Sequence, residues 1–113
     1  MKRECDARLV TVYINSTDQW HGRPLYSAIL ERCRQHGIAG ATVIRCTEGY
    51  GAGGQLHSPR LLELSENLPV RIEIVDIAER MDPFLASLGE LIGEGLVTVS
   101  HVHIIRYLHD PKK

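Results

Sequence analysis

No apolar run in this 113-residue chain approaches the roughly 20 residues that a membrane-spanning helix requires, so no such span is expected. Neither sign of charge prevails. Thirteen Lys and Arg stand against 14 Asp and Glu, for a formal net charge of −1, which gives no electrostatic ground for DNA, RNA or an anionic membrane as partner. Aromatic residues make up only 5% of the chain, and none lies between Pro69 and Asp76, where a base-stacking sheet would need one. Cysteine is also scarce. Cys5, Cys33 and Cys46 are odd in number, widely spaced and without a Cys-x-x-Cys, which argues against a disulfide framework or a thiolate zinc site and fits a reducing, cytoplasmic setting. The opening Met-Lys-Arg-Glu-Cys-Asp has no apolar stretch behind its charges, so no signal peptide is expected.

Glycine is concentrated in one place. A β-rich run from Ala41 to Cys46 leads into a tip holding Gly49, Gly51, Gly53 and Gly54. Glycine reaches positive φ at little cost and lets backbone N–H groups approach a ligand closely. The tip is therefore either a plain surface loop or an anion- or nucleotide-binding edge, with backbone donors and Arg45, His57 or Arg60 as charge partners. The spacing Gly49-x-Gly51-x-x-Gly54 matches a dinucleotide fingerprint. That fingerprint must open a long helix, however, and the next helical signal, Ser58-Pro59, is short.

Taken in order, Arg8 to Asn15 alternates as a strand, with Val10, Val12 and Ile14 on one face and Leu9, Thr11 and Tyr13 on the other. A polar loop follows, with Trp20 expected to act as a lid over a helix end. Pro24 opens a helix in which Leu25, Ala28, Ile29, Cys33 and His36 recur at helical spacing, and Gly37 stops it. After the second strand and the glycine tip, a cap at Ser58 predicts a turn or two of helix. Pro69 to Asp76 is the clearest strand, with Val70, Ile72 and Ile74 facing one way and Arg71, Glu73 and Val75 the other. Asp76 and Glu79 read as a capping box for a second helix over 78–92, with Pro83 inside it. The last strand, Leu96 to Tyr107, changes alternation phase near Ser100, which predicts a bulge.

The order β-α-β-β-α-β is that of an α+β, ferredoxin-like fold in a single domain with its core at about 8–107: a four-stranded antiparallel sheet with two helices on one face. The other face is expected to carry Leu9, Tyr13, Val75, Ile105 and Tyr107 mixed with Arg71, Glu73, His101 and His103. That mixture is too apolar for plain solvent surface and too charged for a core, so a partner subunit is expected to cover it.

Four motifs then reach a family. Gly40-Ala-Thr-Val-x-Arg45-x-x-x-Gly49-Tyr-Gly51 and Leu64-Ser-x-x-Leu68-Pro-Val-x-Ile-Glu73-x-Val-Asp76 resemble the PII-like family known as domain of unknown function 190. Asp18-x-Trp20-x-Gly22-x-Pro24-Leu-Tyr26 and Gly95-Leu-Val-Thr98 resemble it too. More distantly the chain is similar to the PII nitrogen-signalling proteins, trimers that bind adenine nucleotides between subunits and signal through a loop after the second strand. The resemblance implies a ligand-sensing homotrimer with a small-molecule effector, no required cofactor, and a membrane transporter or enzyme as regulated partner. Three departures stand out. One extra residue separates Thr42-Val43 from Gly49-Tyr-Gly51, the loop has no tyrosine at its tip, and the turn after the second helix is Gly93-Glu94-Gly95, where PII proteins carry a basic residue for phosphates. A carboxylate repels phosphate. The expected ligand is therefore AMP, ADP or a cyclic mononucleotide rather than ATP, held by Arg45, Gly49, Tyr50, Gly51, His57 and a neighbour's Arg106.

Other chemistries find less support. Val12-Tyr13-Ile14-Asn15 resembles the first strand of an RNA-recognition module, but the aromatics such a module needs on the third strand are missing. His101-x-His103 could offer two metal ligands, with His57 as a third, yet zinc needs a fuller set. Acylphosphatases share the fold, and Arg23 lies in the loop after the first strand, but without the matching glycine-rich motif. Glu63 and Glu66 read as a solvated helix edge rather than an acid–base pair, so the chain is expected to be a binding protein and not an enzyme; a metal-binding or purely structural trimer and a small phosphate-handling enzyme are the alternatives. The tip at 51–55 is expected to be poorly ordered without ligand.

Overall fold

The structure, a computed structural model, describes residues 1–50 and 68–109 and, as backbone only, the pair Leu56–His57. Gly51, the rest of the glycine tip and the short helix expected after Ser58 lie outside the described residues. Among the described residues ten elements follow in order: β1 (Lys2–Asn15), β2 (Gln19–Trp20), β3 (Arg23–Pro24), α1 (Leu25–Gln35), β4 (Gly40–Arg45), β5 (Gly49–Tyr50), β6 (Leu56–His57), β7 (Pro69–Asp76), α2 (Ala78–Leu88) and β8 (Leu96–Tyr107). The main sheet is antiparallel with strand order β4-β7-β1-β8, so the ferredoxin-like expectation holds. No helix among the described residues is long and apolar enough to cross a membrane.

The core lies between this sheet and the helices. Val10, Val12 and Ile14 of β1 and Val70, Ile72 and Ile74 of β7 meet Leu25, Ile29 and Cys33 of α1 and Met81, Phe84 and Leu88 of α2. Each of these strands alternates strictly, which puts every second side chain into the helix layer. Burial pushes the Cys33 thiol up to about 11, while Cys5 is exposed and Cys46 half-buried.

Between β1 and α1, where the sequence reads as a polar loop, β2 and β3 form a short hairpin. His21 (φ 49°) and Gly22 (φ 79°) both take positive φ, the requirement of a two-residue primed turn, and glycine at the second position meets it without strain. Trp20 does serve as a lid: its indole N–H donates to Glu90 O at 3.2 Å, just past the end of α2, and Arg32 of α1 reaches the Glu90 carboxylate at 3.2 Å.

Several local expectations are corrected. β1 begins at Lys2 rather than Arg8, because β8 pairs with it along its whole length. That ladder runs one residue against one from Lys2↔Tyr107 to Tyr13↔Leu96, so no bulge occurs at Ser100. The change of apolar phase there records which side of the sheet is covered, not a break in pairing. α2 stops at Leu88, four residues short of the expected end at Ile92, and continues as turns through Leu91. The capping box is absent: Ile77 is the N-cap and makes no side-chain cap bond. Asp76 does other work. Only 2% exposed, its carboxylate accepts from Ile77 N at 2.7 Å and from Ala39 N at 2.9 Å, tying the end of β7 to the entry of β4. Arg80 adds a contact at 3.8 Å.

Removing that carboxylate leaves two partly buried donors unsatisfied, at about 1–3 kcal/mol each. Asp76→Ala is expected to destabilise the fold by about 2–4 kcal/mol, read as a lower urea midpoint with an unchanged slope.

Candidate functional site

The register decides what each face of the sheet carries. Pairs directly opposite share a face, so Leu9, Thr11 and Tyr13 of β1 stand with Ser100, Thr98 and Leu96 of β8, and with Val75, Glu73 and Arg71 of β7. These line the open face, away from the helices. His101, His103, Ile105 and Tyr107 were expected there too. They belong to the opposite side, because they pair with Arg8, Asp6, Glu4 and Lys2, whose alternation continues that of Val10 and Val12. Their polarity follows from position: the helices do not cover β8, where even Val97 and Val99, on the core side, are 37% and 47% exposed.

The open face holds a shallow concavity of about 390 Å³. Its floor is Leu9, Val75 and Gly40, its far wall Val102 and Ile104 of β8, and its polar edge Thr42 and Glu73. A Cβ on Gly40 would stand 3.3 Å from Val75 Cγ1, so glycine at this position lets β4 lie close against β7 under the concavity. Thr42 and Glu73 are directly paired across β4 and β7. A hydroxyl and a carboxylate side by side, flanked by aliphatic surface, suit a flat ring with hydrogen-bond donors. Sequence periodicity placed Leu9, Glu73 and Val75 on this face. They line one concavity only once β4 and β8 are arrayed on either side of β7 and β1.

The residues expected to bind ligand are distributed differently. β5 and β6 pair as a stalk, with Gly49 opposite His57 and Tyr50 opposite Leu56. The stalk therefore brings the backbones of Gly49, Tyr50 and His57 together, and Tyr50 is 74% exposed. Its root is tied down: Cys46 N donates to Pro69 O at 2.9 Å, and Ser16 and Leu68 exchange two hydrogen bonds of 2.7 and 2.8 Å. Arg45, exposed at the end of β4, belongs with Ala41 and Val43 on the helix side. Arg106 pairs with Arg3 at the opposite end of the sheet. Ten residues of strand separate it from Leu96, about 33 Å. Within one chain, then, Arg106 and the stalk do not converge on one point. Gly51 lies outside the described residues.

The turn Gly93-Glu94-Gly95 sits at the stalk end but beside β8, three strand spacings from β4, or about 14 Å. Gly95 there is a packing requirement. An added Cβ would lie 3.1 Å from Ile92 Cγ2, 3.2 Å from Tyr13 O and 3.3 Å from Ile14 Cγ2.

His101 and His103 share a face as the spacing predicts, but His103 has other partners. Its Nε2 lies 3.1 Å from Glu4 Oε1 and its Nδ1 3.5 Å from Asp6 Oδ1. The two carboxylates thus address opposite nitrogens of one ring, a geometry that cannot converge on a single ion. No group of three or more His, Cys, Asp or Glu among the described residues is placed to hold a metal. The hydrogen bonds to Glu4 and then Asp6 raise the His103 pKa above its ordinary 6.5.

Residues 7–104 match the model of the DUF190 family, described as "Uncharacterized ACR, COG1993". The chain belongs to this family. A UPF0166 protein of Aquifex aeolicus is 34% identical over 100 residues, spanning 87% of this chain and 92% of that one. The UPF0166 protein MJ1524 of Methanocaldococcus jannaschii is 35% identical over 101 residues, spanning 88% and 93%. Among solved structures, CPII, a nitrogen regulatory PII-like protein from Thiomonas intermedia K12, superposes with a TM-score of 0.68 at 14% identity, covering 90% of this chain and 91% of CPII. This DUF190 protein therefore has the PII-like fold. The CPII structure contains ADP, AMP and bicarbonate.

Inserting a methyl against a backbone carbonyl and two packed side chains costs about 1–3 kcal/mol. Gly95→Ala in this DUF190 chain is accordingly expected to lower stability by about that amount, measured by chemical denaturation, whereas alanine at the open Gly93 leaves it within about 0.5 kcal/mol.

Proposed function

We propose that this chain is a non-enzymatic, PII-like sensor of a small adenine nucleotide, working as a homotrimer with the nucleotide held between subunits. The observation that carries this reading is the concavity on the open sheet face. Its volume falls within the roughly 300–1,000 Å³ of small-molecule sites, and its walls are aliphatic with a few polar groups at one edge. Leu9, Val75, Val102 and Ile104 would take the faces of a purine. Thr42 and the Glu73 carboxylate would accept from an exocyclic amine or a ribose hydroxyl. ADP and AMP in the CPII structure support the choice of ligand class.

The anionic end of the ligand needs donors that the concavity lacks, since Glu73 repels phosphate. Arg45, the backbone of Gly49 and Tyr50, and His57 would supply such groups from one chain, together with Gly51 in the loop beyond them, and Arg106, a strand length away within a chain, would come from a different subunit. A second copy packed on the open face covers Tyr13 and Leu96, 39% and 51% exposed in the single chain. Burial of such apolar surface contributes roughly 25 cal/mol per Å². Glu94 adds negative charge beside the end of the sheet, which disfavours a triphosphate. The loop after β4 would carry the signal to a transporter or enzyme in the cytoplasm.

Thermal-shift titration with AMP, ADP, cyclic AMP, ATP and zinc tests this. AMP or ADP is expected to stabilise the protein by RT ln(1 + [L]/Kd), about 2.7 kcal/mol at a hundredfold excess over Kd, and ATP by less. Glu73→Ala should weaken AMP binding about tenfold or more, from the loss of a charged hydrogen bond. A largest shift with ATP would overturn the role given to Glu94. A shift with zinc alone, or a monomer by light scattering at micromolar concentration, would overturn the reading as a whole.

A further inference from the structure

Beyond the row Arg8↔Asp76, β7 ends and β1 pairs with β8 alone. Residues 2–7 and 102–107 thus form a two-stranded ribbon projecting from the sheet, and an isolated pair of strands is marginally stable in water. The same ribbon carries Val102 and Ile104, the far wall of the open-face concavity, and His103 between them also borders it. On the ribbon's other side His103 makes cross-strand side-chain contacts, to Glu4 at 3.1 Å and to Asp6 at 3.5 Å.

The two ring nitrogens make this contact depend on one proton. An imidazolium donates from both and so serves both carboxylates at once. A neutral ring has a single N–H, which leaves its other nitrogen's lone pair facing a carboxylate oxygen. The remaining charges on this side are accounted for. Lys2 lies 3.5 Å from Glu4, Arg8 lies 3.6 Å from Asp82 of α2, and His101 stands opposite Arg8, so His103 is the ring set between two carboxylates.

We propose that His103 is a protonation-controlled latch: its imidazolium zips the ribbon shut and its neutral form releases it, so that pH sets how firmly β8 walls the concavity. The latch itself stands on the ribbon geometry, and only its effect on ligand binding rests on the nucleotide reading above. The direction follows from linkage. A folded-state pKa raised above 6.5 means that the stabilisation is fully present below about 6.5 and fades as pH rises through the folded value. Because the pair is exposed, solvent and salt moderate its size.

Hydrogen exchange of the ribbon amides, corrected for intrinsic rates, provides the test at about pH 6 and about pH 8.5, on either side of the imidazole titration. Protection of the residue 3–7 and 102–106 amides is expected to fall about threefold or more in the wild type relative to the core strands, while His103→Gln and the double variant Glu4→Gln/Asp6→Asn show no such fall. The His103 midpoint, followed by NMR, should return towards 6.5 in the double variant. Equal protection at both pH values in the wild type, or an undiminished fall in His103→Gln, overturns the latch. AMP affinity measured at the same two pH values separates the two readings. Tighter binding at the lower pH in wild type but not in His103→Gln supports the coupling, and pH-independent binding overturns it. No AMP binding at either pH, with the exchange result as expected, overturns the nucleotide reading and leaves the latch standing.

Discussion

β1 is hydrogen-bonded along both edges, to β7 and to β8, and its strict alternation of period two sorts the whole molecule into a helix side and an open side. Everything else inherits that sorting. A slip of one residue would turn Val10, Val12 and Ile14 outward and bring Leu9, Thr11 and Tyr13 beneath the helices. The three side chains on the helix side are no more than 5% exposed, so the register is held by burial as well as by the ladder. The same ladder carries β1 past the end of β7 and creates the ribbon.

Two helices laid on one side leave the open face as a broad surface where aliphatic and polar groups alternate within reach of each other. Thr11 is 8% exposed there even in the single chain. The concavity arises because Gly40 lets β4 close against β7 while the ribbon rises on the far side. Its character is set by chemistry that would be out of place in a sealed core: a carboxylate at Glu73, an arginine at Arg71 and a hydroxyl at Thr42.

The anchoring at the opposite end has a different logic. Asp76 satisfies backbone groups where β7 leaves and β4 enters the sheet, whereas at the stalk end the bonds of Ser16, Leu68 and Cys46 hold the root of the stalk. A partly buried N–H without such a partner would be expensive. Trp20 performs the analogous task for the end of α2, through Glu90.

How much was legible in the sequence follows from the range of each signal. Period-two runs at 9–14 and 70–75, helical spacing after Pro24 and the lone stop at Gly37 are local, and they were enough for element order, fold class and the composition of the core. The hairpin at Gln19–Pro24 escaped because its strands are two residues each, too short for any periodicity. The capping box failed because Asp76 satisfies Ala39, 37 positions away in the chain, and no local pattern announces that competitor. The side assigned to His101 and His103 failed because alternation shows which residues face together, not which of two sides is covered.

By itself the sequence determined a ferredoxin-like α+β domain of the DUF190 family, a core of aliphatic strands and two helices, and a glycine-rich connection after β4, because each of these is written in residues near one another along the chain. Only the tertiary structure decided that Leu9, Thr42, Glu73, Val75 and Ile104 meet around one concavity, that Arg106 lies a full strand length from the stalk, and that His103 stands between Glu4 and Asp6. Those groupings join residues up to 99 positions apart, and what brings them together is strand register, which hydrogen bonding and burial settle for the sheet as a whole.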